Sequence, residues 1–236
     1  MNLSIIIPVR NEESSIKKTI DQLLSKLKIS PYEIIFINDF STDNTEKVTQ
    51  ELIKNRPQFS LYKNIRKGLG GAITQGINNS SGEAVCIMMS DLSDSIDDLQ
   101  KYYNIIKTED IDAVFGSRFI RGSKVVDYPK KKLILNRIFN VITKILFISS
   151  YNDFTNAFKI YKRKALLKTF PLVSESFNIF LELPLKIISR KMKYKIIPIS
   201  WTNRKEGVSK FDIKELRAKY LFTLIYCLLE KLLLKK

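Results

Sequence analysis

Residues 3–7, 33–37 and 84–89 are short runs dominated by branched and other apolar side chains, and the segment after each has helical spacing or a helix-start signal. A strand that reads as apolar throughout, with no alternation, is covered on both faces. Strands of that kind separated by helices predict an α/β fold, a mostly parallel sheet with helices on both faces. Ile16, Ile20, Leu23, Leu24 and Leu27 share one face of a helix over 13–27. Ser41 or Asp43 can cap a second helix that runs to about residue 55. A third strand is expected over 59–63, a glycine-opened helix over 68–77, a helix over 97–106 and a strand over 113–115.

In such sheets ligands bind beyond the carboxyl ends of the strands. The polar clusters fall there: Arg10-Asn11-Glu12 after the first strand, Asn38-Asp39 after the second, and Asp91 with Asp94 after the fourth. Three strand ends are therefore expected to converge on one crevice. The second half reads as helices over 130–148, 161–170 and 179–191, a strand over 195–199, polar loops over 152–158 and 201–210, and a final helix over 212–236. The expected organisation is one domain, 1–211, followed by an amphipathic extension, 212–236.

Composition narrows the chemistry. The chain has no histidine, which excludes Ser/His/Asp and Cys/His nucleophilic catalysis and any histidine-ligated metal. A metal would rest on carboxylates, which favours Mg²⁺ or Mn²⁺. Cys86 and Cys227 lie far apart in apolar runs, with neither a metal-ligand spacing nor a disulfide framework, as suits a reducing, cytoplasmic setting. The net charge of +16 calls for nucleic acid, anionic lipid or phosphate-bearing substrates, or reflects a composition rich in Lys throughout. No recognisable nucleic-acid reading module is present, and no nucleic-acid partner is expected. Residues 1–8 read as a strand rather than a signal segment, and no run is long enough to span a membrane.

Seven motifs, in order, resemble one family. SIIIPVRNEESSI (4–16) and IIFINDFSTDNT (34–45) resemble the first two strands of family 2 glycosyltransferases. RKGLGGAITQGINNSSGE (66–83) resembles their glycine-punctuated segment, and VCIMMSDLSDS (85–95) stands where their metal-binding aspartate motif belongs. DAVFGSRFIRG (112–122), NDFTNAFKIYKR (152–163) and WTNRKEGVSKF (201–211) resemble the dolichol-phosphate mannose synthase and other polyprenyl-phosphate sugar synthases of that family. The resemblance spans nearly the whole chain short of the final helix and implies a GT-A, Rossmann-like fold.

It also implies site residues. Pro8, Arg10, Glu12 and Asp39 would line the nucleotide pocket, with Lys67, Ser90, Asp91, Asp153, Arg204 and Lys210 completing the nucleotide-sugar site. Asp91, Arg118 and Arg204 are the catalytic candidates. Asp91, Ser93 and Asp94 are the metal candidates, because Met89 stands where the family has the first Asp of Asp-x-Asp. Arg118, Lys131 and Arg137 would hold the acceptor phosphate, with Lys130 and Lys132 nearby. Thr155 belongs to an Asp-x-Thr element followed by Asn156-Ala157 where Ser-Gly is usual. Glu182 matches an acid near the acceptor, and Ser209 with Arg204 and Lys210 belongs to a loop turned by Gly207 that closes over the diphosphate. Simpler readings stand beside these. Glu12 can complement a helix N-terminus, Asp43 and Ser41 can serve turns and caps, Glu182 can be a helix-face residue, and the lysines at 130–132 can be solvated.

The activity implied is transfer of a hexose of mannose or glucose type from a nucleoside-diphosphate sugar to a polyprenyl or dolichyl phosphate, with inversion. That acceptor is already an anion and needs positioning rather than a general base. Two rivals are a same-fold enzyme acting on a cell-surface glycan, which would need a carboxylate base, and a non-catalytic nucleotide-sugar-binding protein. The last helix, with Leu221, Phe222, Leu224, Ile225, Leu228, Leu229, Leu232 and Leu233 among lysines, reads as a membrane-interface helix or an oligomer contact. The expected location is peripheral, at the cytoplasmic face of a membrane.

Overall fold

A computed structural model describes residues 1–91, 93–203 and 213–234. The first half alternates as expected: β1 (Leu3–Val9), α1 (Ile16–Lys26), β2 (Tyr32–Asn38), α2 (Thr45–Ile53), β3 (Phe59–Lys63), α3 (Leu69–Asn79), β4 (Ala84–Ile87), α4 (Ile96–Thr108) and β5 (Ala113–Ser117). Then come β6 (Lys124–Val126), α5 (Lys130–Phe147), β7 (Lys159–Lys162), α6 (Arg163–Leu167), α7 (Ile179–Ser189), β8 (Tyr194–Pro198), β9 (Ser200–Thr202) and α8 (Ile213–Leu233).

Seven strands form the central sheet in the order β3-β2-β1-β4-β7-β5-β8, and β6 pairs with β9 in a separate parallel ribbon. All of β1 is buried because helices cover both faces of the sheet. Its side chains alternate between two cores. Ile5 and Ile7 pack with Ile16, Ile20 and Leu99 of α1 and α4, and Ile6 packs with Ile73 and Ile77 of α3. The one polar residue of β1, Ser4, is buried and donates to Glu33 at 2.5 Å, and that carboxylate also accepts from the Ser81 N–H at 2.6 Å. A buried hydroxyl is tolerated in the sheet because its partner lies on the neighbouring strand.

Two stretches differ from the expectation. Residues 161–170 do not form one helix. Lys159–Lys162 is β7, inserted antiparallel between β4 and β5 with Val85 opposite Tyr161 and Phe115 opposite Lys159, and only Arg163–Leu167 is helical. The lysines hid this strand, since a buried Lys159 does not read as a core position. Residues 201–202 are not loop, because β9 pairs with β6 there.

The glycines of α3 serve close packing. A Cβ on Gly70 would lie 1.9 Å from the Ser174 carbonyl oxygen, and the Gly70 N–H donates to the Glu175 carbonyl at 3.0 Å. Gly68, at φ +113°, lies against the same loop. Backbone on both sides leaves nothing flexible to yield. Gly70→Ala is therefore expected to destabilise the protein by about 1–3 kcal/mol, measured as a lowered urea midpoint.

Candidate functional site

The order of strands reverses at β1, which has β2 on one side and β4 on the other. In a doubly wound sheet that reversal opens the binding crevice. The register carries the three strand ends to one edge. Val9 stands opposite Asn38, the Asp39 N–H donates to the Val9 carbonyl at 2.8 Å, and the Met88 N–H donates to Ile6 at 3.0 Å.

Asp39 is the buried anchor of this edge. Its Oδ1 accepts from the Gly68 N–H at 2.7 Å and from Asn64 Nδ2 at 2.8 Å, and Arg10 approaches Oδ2 at 3.9 Å. Asn64 also donates to the carbonyls of Arg66 and Gly68, so it ties the end of β3 to the start of α3. Sequence reading missed Asn64, although it sits at a fourth strand end with the same polar signal. Pro8 lies opposite Ile37 in the ladder. Lys67 is exposed beside this edge, and Arg66 pairs with Glu175 at 2.7 Å.

Local structure claims several neighbours. The Glu12 carboxylate accepts from Ser15 Oγ at 2.5 Å at the entry to α1, and its N–H donates to Thr45 Oγ1 at 2.8 Å. Ser41 Oγ accepts from the Asn11 N–H at 3.1 Å, where Asn11 has φ 51°. Burial pushes Asp43 up, but donation from the Thr45 hydroxyl, the Thr45 N–H and the Glu13 N–H outweighs it and holds the carboxyl below its ordinary value. Asp43 is turn chemistry.

At the end of β4 two carboxylates share one turn. Asp91 Oδ1 accepts from the Ser93 N–H at 3.1 Å. Asp94 is buried, accepts from the Met89 N–H, and has one oxygen, Oδ2, without a hydrogen-bond partner among the described residues. Burial first, and the negative charge of Asp91 second, push Asp94 up to about 7 against the pull of Arg118 and Lys159. The Ser90 carbonyl accepts from Thr19 Oγ1 at 2.8 Å, which holds this turn against α1. Two crowded carboxylates with an unsatisfied buried oxygen fit a hard divalent cation, whose other ligands a diphosphate and water would supply. Among the described residues no third acidic, histidine or cysteine ligand gathers there.

The raised Asp94 has a consequence for stability. Its folded-state pKa of about 7 lies above the ordinary aspartate value of about 3.9, so between those pH values the native state holds a proton that the unfolded chain has released. Stability from this group is full below about pH 4 and is lost as pH rises through 7. Asp94→Asn should therefore stabilise the metal-free protein by roughly 1–3 kcal/mol at pH 8, and the gain should shrink toward pH 5. Urea midpoints at the two pH values check this.

Arg118 and Asp153, assigned separately to acceptor and sugar from sequence, meet in a buried fork. Nε and Nη2 donate to Oδ2 and Oδ1 at 2.9 and 2.7 Å, and the Arg118 N–H donates to Oδ2 at 2.9 Å. The rings of Phe119, Tyr128 and Trp201 surround the guanidinium at 5.3–5.6 Å. Burial alone would lower its pKa; the Asp153 carboxylate reverses that and raises it. Arg137 packs over Phe119 at 4.5 Å, while Lys131 is exposed at the start of α5. Thr155 Oγ1 donates to Asn136 at 3.0 Å, and Asn156 Nδ2 to the Gly116 carbonyl at 3.1 Å. Lys159, unremarked in the sequence, is fully buried and donates to the carbonyls of Phe154 and Asn156. Burial pulls its ammonium down to about 7 against Asp153 and Asp94.

Glu182 is engaged by the loop that precedes its helix. It is buried in α7, accepts from the N–H groups of Val173 and Ser174 at 2.9 and 2.8 Å, and pairs with Lys186 at 3.0 Å. It shapes the loop on which α3 packs. Arg204, Gly207, Ser209 and Lys210 lie outside the described residues.

Residues 4–170 match the family described as Glycosyl transferase family 2. The chain is 27% identical over 216 residues to dolichol-phosphate mannosyltransferase of Pyrococcus furiosus, covering 91% of this chain and 60% of that protein. It is 30% identical over 224 residues to dolichyl-phosphate beta-glucosyltransferase of Saccharomyces cerevisiae, covering 84% and 66%. The chain thus spans 60–66% of the length of these two relatives. Glucosyl-3-phosphoglycerate synthase of Mycobacterium tuberculosis, solved with Mn²⁺, UDP-glucose and phosphoglyceric acid, shares the fold at a TM-score of 0.74. Sequence identity is 16%, over 96% of this chain and 79% of that one.

Proposed function

The chain belongs to glycosyltransferase family 2, and on that premise we propose that it transfers a hexose from a nucleoside-diphosphate sugar to a polyprenyl phosphate at a membrane surface. The observation that carries the proposal is the gathering of Asp39, Asp91 and Asp94 at the ends of β2 and β4, on either side of β1. The names of the curated relatives support the lipid-phosphate acceptor.

Each group has a task on this reading. Asp39, fixed by Gly68 and Asn64, offers its carboxylate to the nucleoside beside Pro8 and Arg10. Asp91 and Asp94 would hold Mg²⁺ or Mn²⁺, which neutralises the charge gathering on the diphosphate as the sugar–phosphate bond breaks. An oxygen of the acceptor phosphate attacks the anomeric carbon, the nucleoside diphosphate leaves, and the configuration inverts. The attacking oxygen is already anionic, so the chain supplies position and charge rather than a base. Arg137 and Lys131 attract the phosphate beside the fixed Arg118–Asp153 pair, and the 204–210 segment supplies Arg204 and Lys210 to the departing diphosphate.

The membrane side of the proposal rests on two helices. No helix among the described residues is long and apolar enough to cross a membrane. Yet α5 exposes Ile134, Ile138, Val141 and Ile145, and α8 exposes Leu221, Phe222, Ile225 and Leu229. Apolar side chains on lysine-bearing helices suit the boundary of an anionic bilayer.

The test supplies radiolabelled UDP-glucose or GDP-mannose, with Mg²⁺ or Mn²⁺, to the protein on phosphatidylglycerol vesicles containing a polyprenyl phosphate. Label should enter an organic-extractable, mild-acid-labile lipid. Label found only in a water-soluble glycan would instead support the glycan-acceptor rival.

A further inference from the structure

We infer that Trp201 is a positioning residue that ties the turn carrying Asp91 and Asp94 to the Arg118–Asp153 pair, so that loading the donor side resets the packing on the acceptor side. The inference rests on the proposed donor role of that turn.

The backbone of Trp201 is held along both edges. On one edge it forms an antiparallel bridge with Asp94, and the next residue, Thr202, donates its N–H to the Ser93 carbonyl at 3.2 Å. On the other edge Trp201 lies opposite Val125 of β6, and the Asn203 N–H donates to Val126 at 3.1 Å. The strand's first residue is pinned too, because the Ser200 N–H donates to Asp98 Oδ2 at 2.6 Å. A displacement of residues 93–94 is therefore passed to β9 through ladder hydrogen bonds rather than absorbed by slack chain.

The side chain reaches the other half of the site. The indole lies 5.0 Å from the Tyr128 ring and 5.6 Å from the Arg118 guanidinium carbon. Arg118 has little freedom of its own, since its fork and its backbone N–H all engage Asp153. One residue thus touches the acidic turn through its backbone and the buried cation through its ring.

The turn has a reason to move. Asp94 is buried with one oxygen unpartnered among the described residues, close enough to Asp91 for their charges to oppose each other. If Asp91 and Asp94 hold a divalent cation, the neutralising of their opposed charges would reset the turn, and the bridge at Trp201 would follow. If Trp201 only fills space over Arg118, its substitution costs stability and its surroundings ignore the donor side.

Trp201 is the sole tryptophan of the chain, so indole emission reports this position alone. The experiment titrates the full chain with Mg²⁺, which does not quench indole, in the presence of UDP and separately of GDP. Emission is excited at the red edge of the indole band, and binding is followed in parallel by calorimetry. The expected result is a saturable shift in emission whose midpoint coincides with the calorimetric one. Trp201→Phe should keep Mg²⁺–nucleotide binding and donor KM while lowering kcat about tenfold, as expected of misplaced reacting groups. Calorimetric binding with a motionless spectrum overturns the inference and leaves the donor reading standing. So does a Trp201→Phe protein with unchanged kcat. An absence of binding heat with both nucleotides overturns the donor reading and the inference together. The wild-type spectrum decides the matter even if the variant fails to fold.

Discussion

Asp91→Asn is expected to lower hexose transfer roughly 10²–10³-fold while leaving the fold intact. A divalent cation stabilises the charge on a leaving diphosphate by several kcal/mol, and each 1.4 kcal/mol lost is a factor of ten in rate. The variant loses one of the two carboxylates on the turn. It also removes the negative charge that, after burial, does most to hold Asp94 up near 7. Metal-free stability should therefore stay the same or rise. The decisive measurement is paired: transfer rate, and the increase in melting temperature produced by Mg²⁺ with a nucleoside-diphosphate sugar. Both should collapse together, because a ligand stabilises only the native state that binds it. A variant that keeps the metal-dependent thermal shift would place the cation elsewhere. Wild-type protein that shows the shift without turnover would support the binding-protein rival.

The largest expected effect on stability belongs to Asp153→Ala. Arg118 and Asp153 are 9% and 0% exposed and meet through two side-chain hydrogen bonds. Removing one partner leaves a desolvated charge among three aromatic rings, and the usual cost is about 3–5 kcal/mol. The Arg118 N–H also loses its acceptor. Replacing both members, as in Arg118→Met with Asp153→Leu, should recover most of that loss, because two buried charges then no longer need each other. Urea unfolding of the two single variants and the double variant gives the coupling energy directly. A coupling near zero would mean that Arg118 is held by the rings rather than by Asp153, and would return it to the free phosphate-binding role read from its motif.

Much of the donor half was legible in the chain itself. Runs such as 84–89 declare burial on both faces by composition, and the residues that follow such runs must lie at the carboxyl edge of a parallel sheet. Asp39, Asp91 and Asp94 could be placed near one another by that rule alone. What each does locally was harder to read. Glu12 and Asp43 carry the same charge in similar polar turns, yet Ser15 takes one carboxylate and the Thr45–Glu13 turn takes the other. Hydrogen-bond partners two to thirty residues away decided this, and spacing does not encode them.

The sequence by itself determined the parallel core and the edge where the acidic residues collect, because these follow from short-range patterns of burial repeated strand by strand. Only the tertiary structure decided the antiparallel insertion of β7, the union of Arg118 with Asp153 and the bridge from Asp94 to Trp201. Those contacts join residues far apart in the chain, and they bury lysine, arginine and aspartate that local patterns assign to the surface. A charge becomes a core residue only when folding brings a partner to it, and that meeting is a property of the whole sheet.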